Sequence, residues 1–159
     1  MNSTKKFVAI FALTFGTILI SSPNAEAAPS LRSAAMVSVN TQKGARYVWG
    51  AEGGYSRGYD CSGLTYWAYK QHGKTLPRVA QDQYNHSHHI SAGSRQPGDL
   101  VFIRDARGHV YHVGILTRIY KGHGYMVNAN SGHYRGYKVV EAPIYEYTRG
   151  TPYASYGRY

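Results

Sequence analysis

A chain of 159 residues suits a single domain, and its one cysteine excludes an internal disulfide bond. The formal net charge of +10 indicates an anionic partner and carries no information about the fold. Nucleic acid is the usual partner of so basic a domain. The N-terminal sequence described next predicts export, which makes an anionic cell envelope the better expectation, and we expect no nucleic-acid partner.

The first 27 residues have the three parts of a secretory signal peptide: a positive start, an apolar stretch over residues 7–20 and a small-x-small cleavage site at residues 25–27. We therefore expect removal of residues 1–27 and a mature single domain over residues 28–159. An uncleaved membrane anchor is the alternative, but the apolar stretch is short for a bilayer. We expect no transmembrane segment after cleavage, and a secreted or envelope location.

The single cysteine lies where a glycine-rich loop, residues 50–58, meets an amphipathic helix that we predict over residues 61–72. Asp60 is a favoured N-cap residue, so Cys61 falls in the first helical turn. The free N–H groups and the dipole at that end favour an anion, which predicts a lowered thiol pKa. A lone thiol in an exported chain is a tolerated buried residue, an intermolecular link or a reactive nucleophile. The position of this one favours the nucleophile.

The remaining elements follow from hydrophobic periodicity. Helical patterns cover residues 31–42, before Gly44, and a short turn over residues 79–84. Strand patterns follow at 100–103, 110–116, 125–129 and 137–142, and residues 145–159 are compatible with an edge strand. Helices first and an antiparallel sheet second indicate an α+β fold.

A reactive thiol needs a base, and the base needs an orienting group. His112 is the best candidate base because it is embedded in a predicted strand, where alternation places it on one face with Val110 and Leu116. His109, in the preceding turn, is the close competitor. Asn128 lies one strand further on, and its side-chain oxygen can accept a hydrogen bond from the imidazole ring.

Three other histidines lie close together in a polar stretch, at His86, His88 and His89. Alternation can place His86 and His88 on one side of a strand as a pair of metal ligands. Two ligands without a carboxylate or a second pair are a weak signal, and a solvated loop is the simpler interpretation. We expect no metal and no organic cofactor.

Six short sequence features occur in order over residues 47–115, within a matching stretch of about residues 32–142. They are Tyr47-Val48-Trp49-Gly50, Asp60-Cys61-Ser62-Gly63-Leu64, Leu76-Pro77-Arg78, Gln83, Pro97-Gly98-Asp99-Leu100-Val101-Phe102 and His112-Val113-Gly114-Ile115. No single motif is decisive, but the ordered set resembles the NlpC-type cysteine peptidases of bacterial cell walls, a branch of the papain-like superfamily. The resemblance implies N-terminal helices, with the nucleophile helix packed on a central antiparallel sheet.

The resemblance also assigns catalytic roles. It implies Cys61 as nucleophile, His112 as general base and acid, and Asn128 as the third polar residue. The commoner pattern has a histidine at the third position; an amide can still orient an imidazole but cannot take up a proton. His133, in the following loop, is the alternative third residue.

Three binding positions match the same family. Tyr47 matches a tyrosine that lies near the nucleophile. Asp60 and Ser62 match positions that shape the pocket for the free amino end of the substrate. Peptidoglycan stem peptides and an anionic cell envelope are therefore the expected partners.

The reaction implied by the resemblance is hydrolysis of an amide bond in the peptidoglycan stem peptide, with the γ-D-glutamyl–diamino acid bond the expected one. It proceeds through an acyl-enzyme on Cys61, whose oxyanion is bound by backbone N–H groups. An N-acetylmuramoyl-L-alanine amidase or an acyl or peptidyl transferase on the same scaffold is the second hypothesis. Cys61 precedes His112 in the chain, which argues against the permuted lecithin:retinol-acyltransferase-like branch. A non-catalytic cationic wall-binding protein is the third.

Overall fold

The computed structural model describes residues 29–132, 135–150 and 152–159, so the predicted signal peptide and His133 lie outside the described residues. Within them the helices come first: α1 (Leu31–Asn40), α2 (Gly54–Arg57), α3 (Cys61–Lys70) and α4 (Ala80–His86). The strands are β1 (His88–Ile90), β2 (Leu100–Arg104), β3 (Val110–Tyr120), β4 (His123–Gly132), β5 (Gly136–Pro143) and β6 (Tyr153–Arg158). Short 3₁₀ turns cover Ala92–Ser94 and Ile144–Glu146. The α+β prediction is confirmed.

The strands form one antiparallel sheet in the order β1-β6-β2-β3-β4-β5. The strand predicted near the C-terminus is present, but its expected edge position is wrong. β6 lies between β1 and β2, where Gly157 pairs with His89 on one side and Leu100 on the other. A Cβ at Gly157 would overlap Ser87 and approach Phe102, so glycine is required by close packing at this position.

The β3–β4 hairpin is longer than predicted because its turn has an unusual sequence. Tyr120 pairs with His123, which leaves Lys121 and Gly122 as a two-residue loop. Both have positive φ, 49° and 79°, as a type I′ turn requires. Lysine is an uncommon first residue in such a turn, so sequence reasoning ended both strands early.

Two apolar layers cover the two faces of the sheet. On the first face α3 packs against β3 and β4, with Leu64 and Ala68 fully buried in the same cluster as Ile115 and Val127. The second cluster, which includes Leu116 and Met126, lies on the other face. The expected packing of the nucleophile helix on the sheet is thus present. Over the described ranges, each helix is too short or too polar to cross a bilayer.

A β-bulge at the start of β3 changes which residues face the helices. Ile103 pairs with His112, and the next residue of β2 pairs with Val110, so Tyr111 is an extra residue. Val110 therefore joins Val113 in the cluster on the helix side. The predicted placement of Val110 on the face of His112 is wrong, because strict alternation does not allow for the bulge.

Candidate active site

Cys61 is the first residue of α3 and lines a cleft of about 580 Å³. The side chain of Asp60 caps the helix by accepting from the N–H of Gly63 at 2.6 Å. A Cβ on Gly63 would overlap the carbonyl oxygen of Ala51, so only glycine lets the loop cross the first turn of α3 so closely. The loop and the cap together hold the thiol at the N-terminal end of the helix, as predicted.

Burial raises the pKa of the Cys61 thiol above its ordinary value, and the carboxylate of Asp60 raises it further. Backbone N–H groups of Val113, Ser62 and Cys61 itself donate towards the sulfur and offset part of this rise. The prediction of a lowered thiol pKa is therefore wrong, because desolvation and an adjacent carboxylate outweigh the helix dipole. The unliganded site holds a neutral thiol, which needs a base before it can attack.

The thiol reaches the sheet where β3 and β4 separate. The pairing between these strands runs from Ile115 and Val127 towards the hairpin turn, while Val113 pairs with Phe102 of β2. The N–H of Val113 belongs to the peptide that joins it to His112, and its interaction with the sulfur lowers the pKa of the Cys61 thiol. The nucleophile consequently lies beside the backbone of the candidate base.

His112 and Asn128 meet on the face of the sheet that carries Met126. The ring Nε2 of His112 lies 2.9 Å from Oδ1 of Asn128, and the two side chains are 7 % and 0 % exposed. Gly114 permits this approach, since a Cβ there would lie 3.0 Å from that of Asn128. Burial lowers the pKa of His112 to about 4, although the hydrogen bond to Asn128 acts in the opposite direction. The imidazole is therefore neutral at neutral pH.

Sequence reasoning missed Tyr147, which directly follows the second 3₁₀ turn. Its ring stacks on the imidazole of His112, with ring centres 5.2 Å apart and planes 9° from parallel. Its hydroxyl donates to Oδ1 of Asn128 at 3.1 Å and lies 3.3 Å from Oδ1 of Asn130. The chain has 16 tyrosines, and no local pattern distinguishes this one from the others.

Two other predicted candidates lie around the thiol. Tyr47 is close to it: burial raises the pKa of this tyrosine, and Cys61 and Asp60 raise it further. His109 lines the cleft from the turn before β3, where its backbone N–H donates to Oδ1 of Asp105 at 2.9 Å. The two histidines that competed for the role of base thus differ in position, since His109 is exposed in the cleft and His112 is buried against Asn128.

Asp60 and Ser62 belong to one charged cluster with Arg78. The guanidinium of Arg78 donates to both carboxylate oxygens of Asp60, at 3.0 and 2.7 Å, and to Oγ of Ser62 at 3.1 Å. Its Nε pairs with Glu52 at 3.0 Å. The N–H of Gly50 also donates to Asp60, at 2.9 Å. Two carboxylates therefore share one guanidinium: Asp60, which lines the cleft, and Glu52, which lies outside it.

The three clustered histidines do not converge on one point. His86 is the last residue of α4, with Nδ1 2.8 Å from the carbonyl oxygen of Asp82, so its predicted place on a strand with His88 is wrong. His89 stacks on Tyr84 at 4.1 Å. In the described part of the chain, no three His, Cys, Asp or Glu side chains are grouped to hold a metal ion.

Comparison with known proteins gives one consistent result. The sequence model of the NlpC/P60 family matches residues 44–150. A probable endopeptidase of Corynebacterium glutamicum is 38% identical over 113 residues, which are 70% of this chain and 50% of that protein. The bifunctional muramidase/DL-endopeptidase CwlT of Bacillus subtilis is 40% identical over 90 residues, 55% of this chain and 26% of that protein.

The fold has solved counterparts as well. The structure of NlpC1 from Trichomonas vaginalis matches with a TM-score of 0.67 at 30% identity. That match covers 84% of this chain and 45% of the other. This chain therefore spans half or less of the length of each of these relatives.

Proposed function

The chain belongs to the NlpC/P60 family, and on that premise we propose that it is a secreted peptidoglycan endopeptidase. It hydrolyses an amide bond of the stem peptide, the γ-D-glutamyl–diamino acid bond, through an acyl-enzyme on Cys61. The names of the relatives support this, since one is a probable endopeptidase and another a DL-endopeptidase. The observation that carries the proposal is the thiol of Cys61 in an open cleft at the capped start of α3, where the backbone N–H that follows His112 acts on the sulfur.

The proton states of the free site define the first half of the reaction. Neutral His112 takes the thiol proton as the sulfur of Cys61 attacks the carbonyl carbon of the substrate. The carbonyl oxygen becomes an oxyanion, which accepts from the backbone N–H of Cys61 and of a neighbour. The imidazolium then gives its proton to the leaving amine as the C–N bond breaks, and a thioester remains.

The second half regenerates the enzyme. A water molecule attacks the thioester carbonyl while His112 removes its proton. The C–S bond breaks, the proton returns to the sulfur, and the carboxylic acid product leaves. Asn128 holds the ring in position throughout, because its amide oxygen is 2.9 Å from Nε2 and the other ring nitrogen is left for proton transfer.

The charged cluster suits the free amino end of a stem peptide. Asp60 and Glu52 together carry one more charge than Arg78 neutralises. An ammonium group of the substrate, bound next to Ser62, would neutralise the remaining negative charge. The proposal therefore places the amino end at this wall of the cleft and the scissile carbonyl at Cys61.

The test is mass spectrometry of defined muropeptides after incubation with the protein lacking residues 1–27, beside a Cys61→Ala control. Cleavage after γ-D-glutamate, absent in the control, is the expected result. A cut between muramic acid and L-alanine would reassign the protein as an amidase, and a product joined to an acceptor amine would make it a transferase. Retention on cell walls without any product would favour the non-catalytic alternative.

A further inference from the structure

The side chain of Asn128 can present either of two ends to His112. If its oxygen faces the ring, Nε2 must carry the proton and Nδ1 keeps its lone pair. If its NH₂ group faces the ring, Nε2 becomes the acceptor and the proton moves to Nδ1. The two orientations have nearly the same shape, so packing alone does not select between them. Only the first leaves Nδ1 able to accept a proton.

The amide nitrogen of Asn128 does not fix this choice. The side chain is fully buried, and its Nδ2 finds no hydrogen-bond partner among the described residues. An unpaired buried N–H group is unfavourable, so the orientation seen here must be stabilised at the oxygen. The oxygen has contacts with two groups, Nε2 of His112 at 2.9 Å and the hydroxyl of Tyr147 at 3.1 Å.

The hydroxyl of Tyr147 lies between two amide oxygens, and one of them cannot rotate freely. Asn130 donates through Nδ2 to the carbonyl oxygens of Gly136 at 2.8 Å and Gly132 at 3.3 Å. Its Oδ1 therefore stays directed at Tyr147, 3.3 Å away. Of the two contacts of the hydroxyl, the one to Oδ1 of Asn128 is shorter, at 3.1 Å, so this oxygen receives the hydroxyl proton. Burial raises the pKa of Tyr147, so this proton is retained at neutral pH.

We propose that Tyr147 is a positioning residue that fixes the tautomer of His112 by holding the oxygen of Asn128 towards the ring. This inference rests on the proposed role of His112 as base. Tyr147 acts through Asn128, and its stacked ring keeps the imidazole plane in place. The oxygen and the NH₂ group of an asparagine side chain have similar shapes. An asparagine at this position therefore requires a second donor to its oxygen, besides the ring N–H, to keep that oxygen towards the ring.

Nitrogen NMR of protein labelled with ¹⁵N-histidine tests the proposal without substrate, at about pH 9, where the ring is neutral. The wild type should show His112 with the proton on Nε2. In Tyr147→Phe, which keeps the stacked ring, a large fraction should carry it on Nδ1. In a turnover assay kcat should fall about tenfold with KM unchanged, the effect of one lost hydrogen bond. Tyr145→Phe, an exposed tyrosine of the same turn, is the matched control and should behave as wild type.

Asn128→Asp separates orientation from general structural damage. A carboxylate presents oxygen at both ends, so the tautomer no longer depends on a donor at residue 147. Tyr147→Phe in the Asn128→Asp background should therefore leave the proton on Nε2. A wild-type ring protonated on Nδ1, an unchanged tautomer in Tyr147→Phe, or a shift that persists with Asp at position 128 would each overturn the proposal. Since the NMR readout needs no turnover, an inactive protein would count only against the proposed function.

Discussion

Among individual residues, the proton states of Cys61 and His112 have the most direct consequences. The thiol pKa is raised and the imidazole pKa is lowered to about 4, both by burial in the first place. The pair therefore rests as a neutral thiol and a neutral imidazole. It does not form the thiolate–imidazolium ion pair that a helix N-terminus alone would favour.

The alkylation rate of Cys61 tests this resting state. We expect the rate with iodoacetamide to be low at neutral pH and to rise only in the alkaline range, later than for an ordinary cysteine, because only the thiolate reacts and the thiol pKa is raised. The label is specific, since the chain has one cysteine. Asp60→Asn retains a capping side chain and removes the charge that raises the thiol pKa, so it should react faster at each pH. Equally fast alkylation of the wild type at about pH 5 would contradict the neutral pair.

The buried imidazole also makes stability depend on pH. The pKa of His112 is about 4 in the folded protein against 6.5 for an ordinary histidine, so the unfolded chain binds the proton first. The stability is fully present above about pH 6.5 and is lost as the pH falls towards about 4. The lost free energy of unfolding is about 3 kcal/mol. Urea denaturation of wild type and His112→Gln at several pH values measures it.

The His112→Gln variant is its own control for other acidic groups. Asp99 and the remaining carboxylates titrate in both proteins, so the difference between the two pH profiles isolates the imidazole. Parallel profiles from about pH 7 to pH 4 would show that His112 is not buried in its neutral form.

Substrate recognition at Asp60 gives a separate prediction. Asp60→Asn should raise KM about tenfold for stem peptides with a free amino end, because the excess negative charge beside Arg78 is lost. N-acetylated peptides should show little change. Asp82→Asn, an exposed residue of α4, alters the net charge equally and serves as control. Equal effects of Asp60→Asn on both kinds of peptide would place the amino end elsewhere.

The sequence was informative about the site wherever chemistry follows from residue type and order. Asp60, Cys61, His112 and Asn128 were all singled out from the sequence. In the structure Asp60 caps the helix that begins at Cys61, and His112 lies against Asn128. The sequence could not predict the direction of the thiol pKa shift, because that shift depends on burial created by distant segments. Nor could it give Tyr147, because its contacts are with a ring and two amides from strands far away in the chain.

At the scale of elements, alternation predicted β2 to β5 but not their local irregularities. The bulge at Tyr111 and the Lys121-Gly122 turn depend on pairing between strands, which a single strand's pattern does not contain. The position of β6 is the largest difference. The segment that holds it is rich in tyrosine and arginine and is only compatible with an edge strand, whereas the fold inserts it between β1 and β2.

The central position of β6 predicts that the chain cannot fold without it. Arg158 donates to buried Asp99 at 2.7 Å, and the hydroxyl of Tyr159 donates to the carbonyl oxygen of Gln83 at 2.8 Å. A chain ending at Gly150 would remove Arg158, one of the two arginines that pair with Asp99, and would expose one edge of β2. We expect it to show no cooperative thermal unfolding. A synthetic peptide of residues 151–159 should restore the transition, and a cooperative transition without the peptide would refute this.

At the scale of the whole molecule, the charge of +10 is not uniformly available to an outside partner. Arg32 and Arg158 both pair with Asp99, whose side chain is completely buried. Charge reversal at Arg158 would therefore destabilise the fold as well as change the surface. Lys43 and Lys138 are better positions for testing wall attachment, because both are exposed around a shallow cleft beside β5.

The net positive charge should strengthen adsorption to a polymeric anionic wall, and it should have much less effect on turnover of a small soluble substrate. Attraction to an extended anionic surface sums over many charges and is screened by salt, whereas chemistry in the cleft depends on short contacts. Between about 50 and about 500 mM salt, half-saturation on isolated sacculi should rise several-fold, while kcat/KM on a soluble muropeptide changes less than about twofold. Lys43→Glu with Lys138→Glu should weaken adsorption at low salt. The control is Lys70→Glu with Lys74→Glu on another face, which should weaken adsorption equally if total charge is the cause. Digestion of sacculi that does not depend on salt would exclude an electrostatic attachment.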